Sequence, residues 1–183
     1  TVQFTPDDAA TAIDIAAGNT HCCSPDAFSV SYTKDDGQGT IWYDSESQLM
    51  RVDFKDRSSE GHAMYLNWTS GIEWYYDKDS GSCNAYGLNP FTEWCFGEDA
   101  SEAYEASGTC GAPVDAPCRT FANGAWAFAA TSDGCFPAAL SGGAGEGFSN
   151  GPRDIAYFYP TAGFIDPNTF VAPASCSLSA FRL

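Results

Sequence analysis

The stretch FSVSYTKDDGQGTIWYD, residues 28–44, decides the fold class. Phe28, Val30 and Tyr32 alternate with Ser29, Ser31 and Thr33, the two-residue period of a half-buried strand. Asp36-Gly37 and Gly39 mark a turn. The alternation then resumes, with Ile41 and Tyr43 set against Thr40, Trp42 and Asp44. Two such runs joined by so short a break read as an antiparallel hairpin.

The same period continues outward. Met50, Val52 and Phe54 alternate with Arg51, Asp53 and Lys55. Met64, Leu66 and Trp68 alternate with Tyr65 and Asn67, and Ile72, Trp74 and Tyr76 with Glu73, Tyr75 and Asp77. Gly, Asp and Ser separate the runs, which predicts an antiparallel meander. Asn67-Trp68-Thr69 is a glycosylation sequon. A glycan on Asn67 requires solvent on that side, which turns Met64, Leu66 and Trp68 inward.

Elsewhere the pattern is weaker. Residues 1–25 are mostly small and polar, with a short helix expected over Asp7 to Ala17. Between Asn89 and Asn123 the periodicity fails, and Pro90, Pro113, Pro117 and several acids predict a long connection with a helical turn near Ala100 to Ala106. Strand character returns at Trp126 and Phe128. Ala139 to Gly151 reads as a Gly-rich loop, and Ile155, Tyr157 and Tyr159 as a late strand. With no repeat or linker, residues 1–183 are expected to form a single domain.

The chain carries 24 Asp and Glu against 8 Lys and Arg, a formal charge of −16. Such a surface repels phosphate backbones and anionic lipid, so no nucleic-acid partner is expected, and it attracts cations such as calcium. Aromatic residues make up 15% of the chain, enough both to pack a β core and to line an apolar pocket. No apolar run has the length of a membrane span, and no signal peptide precedes the chain, as expected of a secreted protein in its mature form.

There are 8 cysteines, at positions 22, 23, 83, 95, 110, 118, 135 and 176. Their wide spacing lacks the C-x-x-C pairs of zinc sites, so disulfides in an oxidising compartment are the stronger reading.

The C-terminal run from Gly163 through Asp166-Pro167, Phe170 and Pro173 to Cys176 resembles the closing motif of the ependymin-related family. Ile41-Trp42-Tyr43-Asp44 with Arg51-Val52 resembles the family's Y-D and R-V strand pair, and Ser132-Asp133-Gly134-Cys135-Phe136-Pro137 its late D-x-C-aromatic-P element. The resemblance spans roughly Cys22 to Cys176. It implies an all-β fold of two stacked, curved antiparallel sheets enclosing an apolar pocket. It implies two disulfides, one joining Cys22 or Cys23 to Cys135 and the other joining Cys83 to Cys176. It further implies an extracellular or lysosomal glycoprotein, often dimeric with itself or a related chain, that binds calcium and lipids, with carotenoid carriers among invertebrate members.

Catalysis has little support. His21 and His62 are the only histidines, no G-x-S-x-G elbow is present, and no catalytic cofactor is expected. Asp77-Lys78-Asp79-Ser80-Gly81 resembles the start of a calcium loop but lacks its third acid and closing Glu, and reads better as a hairpin turn. The expected function is carriage of an apolar small molecule, a lipid or carotenoid. The residues expected to line its pocket are Phe28, Tyr32, Tyr43, Met50, Phe54, Met64, Leu66, Trp68, Trp74, Tyr76, Trp126 and Phe128. Calcium-dependent matrix adhesion is the alternative.

Overall fold

The computed structural model describes residues 22–34, 37–56, 58–96, 103–109, 117–122, 126–142 and 155–176. Strands run through them in chain order: β1 (Cys22–Cys23), β2 (Ala27–Lys34), β3 (Gly37–Asp44), β4 (Leu49–Lys55), β5 (His62–Asn67), β6 (Ile72–Asp77), β7 (Cys83–Gly87), β8 (Cys95–Phe96), β9 (Ala103–Thr109), β10 (Pro117–Ala122), β11 (Trp126–Thr131), β12 (Pro137–Gly142) and β13 (Ile155–Ala162). Short 3-10 turns at Pro167–Phe170 and Ala174–Cys176 follow. Among the described residues no helix is long and apolar enough to cross a membrane. The protein is all-β, and its strands pair antiparallel.

The chain divides into two compact units, Asp26–Glu93 with Tyr157–Leu183, and Thr1–Pro25 with Trp94–Ala156. The first is the meander that the alternation predicts, with strand order β7-β6-β5-β4-β3-β2-β13. Its core is Phe28, Val30, Tyr32, Ile41, Tyr43 and Val52, all buried, with Tyr157 from β13. Antiparallel partners share a face, so the register Phe28↔Tyr43↔Met50↔Leu66 and Val30↔Ile41↔Val52↔Met64 assembles the inward side that residues 28–66 predict. Gly37 and Gly39 serve a close approach. A Cβ on Gly39 would collide with the Asp53 carbonyl oxygen and stand 2.6 Å from the Tyr32 ring, and one on Gly37 would strike the Phe54 ring.

The second unit has the order β13-β12-β11-β10-β9, with β1 paired to β8. Phe121 and Phe128 face each other across β10 and β11, both buried. Three expectations are corrected here. Residues 89–123 are no structureless connection, because β8, β9 and β10 lie within it. Ala103 to Ala106 belong to β9, not to a helical turn, since Ala103, Tyr104 and Ala106 pair with Ala122, Phe121 and Thr120 of β10, with a register shift at Glu105. Ala139 to Gly142 belong to β12, not to a loop. The expected helix over Asp7 to Ala17 lies outside the described residues.

Cys22 bonds Cys135, Cys83 bonds Cys176, and Cys23 bonds Cys95. The first two are the bridges that the resemblance implies, with Cys22 rather than Cys23 as the partner of Cys135. Cys23 sits opposite Cys95 in the β1–β8 pair, and that cross-strand position decides the choice. Cys118 is disulfide-bonded as well. These three bridges occur within units, two in the second and one in the meander.

Candidate functional site

The site lies on the polar side of the meander. Ser31 of β2, Gln38, Thr40 and Trp42 of β3, and Asp53 and Lys55 of β4 belong to the strand phase opposite the core residues. With Glu60, Lys78 and Phe158 they line an open cleft of about 460 Å³, to which Gly39 and Phe54 also contribute. That volume is the size of a small-molecule site.

Asp53 organises the cleft floor. Its carboxylate accepts from Arg51 Nε at 2.7 Å and Nη2 at 2.8 Å, and from Lys78 Nζ at 3.0 Å. Burial pushes this carboxyl up, but the bonds from Arg51 and Lys78 outweigh it and hold the group below the usual carboxylate range. The Arg51 guanidinium is also clasped between rings, 5.0 Å from Trp42 and 5.1 Å from Tyr65. Its Nη1 donates to the Thr169 carbonyl at 3.0 Å, which fastens the Pro167–Phe170 turn to β4. Lys55 makes a looser pair with Glu60, 3.6 Å apart and largely exposed. The Tyr32 hydroxyl donates to the Asp53 carbonyl at 3.2 Å, and burial, then the Asp53 charge, pushes its pKa up to about 12.

The sequence-predicted pocket residues are divided. Phe28, Tyr32, Tyr43, Met50, Phe54, Met64 and Leu66 share the core face of the meander, and of these Phe54 alone reaches the cleft. Trp74 and Tyr76 are corrected to the opposite face, because β6 pairs Trp74 with Tyr65 and Tyr76 with Ala63. The Trp74 indole nitrogen is buried with no hydrogen-bond partner among the described residues. Trp68 lies beyond the end of β5, its ring edge-on to Phe91 at 5.3 Å. Phe128 belongs to the second unit, as does Trp126, whose side chain lies outside the described residues.

Asn67 is partly buried, and its Oδ1 accepts from the Ser70 backbone N–H at 2.9 Å. Asp77 Oδ1 accepts from Asp79 N and Ser80 N, so this loop is the β6–β7 hairpin turn expected of it. Cys23 and Cys95, being bonded to each other, offer no thiolate for a metal. His62 stacks on Tyr75 at 4.9 Å and lies tilted against Phe54 at 5.2 Å. Burial, then the charges of Lys78 and Lys34, lowers its pKa.

Trp42, Lys55, Lys78 and Phe158 are not marked as site residues by the apolar phase of the strands, because the cleft lies on the other phase. One signal was available. In a chain with 8 cations, Lys34, Arg51, Lys55, Arg57 and Lys78 all fall between positions 34 and 78.

No protein-family model matches this chain, and no curated protein matches it. Its fold is similar to that of an uncharacterized conserved protein from Thermus thermophilus, with a TM-score of 0.61 and 11% identity over 93% of this chain and 97% of that one. The likeness extends to the fold alone.

Proposed function

We propose that this chain is an extracellular binding protein of the ependymin-related kind, which carries a largely apolar small molecule and catalyses no reaction. The observation that carries the reading is the cleft, whose size suits a small organic ligand and whose walls include Trp42, Phe54 and Phe158. Apolar ligand area removed from water contributes about 25 cal/mol per Å² before the costs of association, so contact with these three rings favours a lipid or polyene. Secretion is supported by the disulfides, which persist in oxidising compartments. The family assignment is supported by the meeting of motifs far apart in sequence, Arg51 with Thr169 and Cys83 with Cys176.

Titration with cis-parinaric acid, a fluorescent polyene fatty acid, tests the reading. Trp42 lies within the cleft and serves as the energy donor. Saturable one-to-one binding is expected, abolished by Thr40→Trp, which fills the cleft from β3. Binding that survives this substitution places the ligand elsewhere, and no saturable binding contradicts carriage.

A further inference from the structure

We infer that the cleft selects a ligand with a carboxylate head and a flat, conjugated body, the head meeting Lys55 and Lys78 and the body lying against Trp42 and Phe158. This rests on the carrier reading and narrows it, because a wholly apolar ligand would need neither cation. The chain as a whole is −16, a field that repels anions from most of its surface. The cleft is an exception. Asp53 is shared by Arg51 and Lys78, so this trio carries one positive charge more than it neutralises. Lys55 adds a second ammonium and Glu60 a carboxylate, so the net charge here stays at about one positive, and their bond is long and exposed, a pairing that an incoming carboxylate exchanges at little cost.

Geometry points the same way. Arg51 gives three of its five N–H donors to Asp53 and Thr169, lies against two rings and does not line the cleft, whereas Lys78 lines it and has two further N–H donors beyond its bond to Asp53. Lys78 and Lys55 both line the cleft, and Gln38 adds an amide. Phe158 stands edge-on to Tyr159 at 5.3 Å, and Tyr159 keeps a positive φ of 55° while 77% exposed. A bulky residue in that backbone region is strained, and such strain persists only where the surrounding structure imposes it. Here it stands an aromatic ring in solvent next to the cleft-lining Phe158.

The test compares cis-parinaric acid with its methyl ester, which keeps the polyene and removes the charge. The intact protein should bind the acid about tenfold more tightly, as one charge-assisted contact predicts. That preference should shrink as salt rises from about 0.01 to about 1 M. In Lys55→Gln/Lys78→Gln the ratio of acid to ester affinity should fall from about ten to about one. Asp53 retains Arg51 in this variant, and its melting temperature checks the fold. Equal binding of acid and ester overturns the inference and leaves carriage standing, as does a preference that survives in the double variant. If neither probe binds saturably, the carrier reading fails and takes the inference with it.

Discussion

At the scale of single residues, space and solvation decide what each position tolerates. Gly39 sits where the Tyr32 ring and the Asp53 carbonyl close over β3, so Gly39→Ala should destabilise by about 2–3 kcal/mol, read from urea unfolding. Glu73 shares a face with Leu66 and Tyr86, and burial raises its pKa. A raised carboxyl penalises the folded state once ionised. The penalty is therefore full above the folded value and vanishes as pH falls below the unfolded value of 4.5. Glu73→Gln should accordingly stabilise at neutral pH by about 0.5 kcal/mol and change nothing at about pH 3, measured by thermal melts at both. Neither residue announces its role in the sequence, because Gly39 resembles any turn glycine and Glu73 any exposed strand acid. Only the register shows what stands opposite.

At the scale of elements, the strands from β2 to β5 are legible because one phase is apolar and the other is not. The alternation fails at β6, where both phases carry large rings. Apolarity favours Ile72, Trp74 and Tyr76 as the inward set, yet the turn after Asn67 pairs Asn67 with Ile72 and places that set beside Tyr65. Turn geometry outranks hydrophobicity here, and a one-residue difference in register exchanges the faces. β9 and β10 are illegible for another reason, since Pro, Gly and acids mask strands held by pairing and disulfides.

The Arg51–Asp53–Lys78 cluster binds β4, the C-terminal turn and the β6–β7 hairpin together. Arg51→Ala should cost about 2–4 kcal/mol and speed proteolysis near Thr169, because it strands Asp53 with one partner and frees the turn. Asp53 has a depressed pKa, so its stabilisation is complete above the unfolded value of 3.8 and is lost as pH falls through the lower folded one. Asp53→Asn should lower stability at neutral pH and flatten the acid limb of the stability curve, followed by fluorescence from about pH 7 to about pH 2.

At the scale of the whole molecule, disulfides hold the long-range order. Cys83–Cys176 closes 93 residues, and loop closure of that length contributes up to about 4.5 kcal/mol. Cys83→Ser/Cys176→Ser should therefore lose several times more stability than any surface change, read as a fall in urea midpoint. The expectation of disulfides is legible in eight cysteines, and the resemblance supplied Cys83–Cys176 while leaving the partner of Cys135 open between Cys22 and Cys23. The cleft was not legible, because it is built from the polar phase of the strands and from Phe158, over a hundred positions from Trp42.

Carriage of a small molecule is tested most directly by extracting what the protein purified from its natural source holds. An absorption spectrum of the disulfide-intact protein comes first, followed by organic extraction and mass spectrometry. We predict a conjugated or acyl carboxylic acid, close to one per chain. A preparation that releases no small molecule, and that then takes up no cis-parinaric acid, would contradict the account.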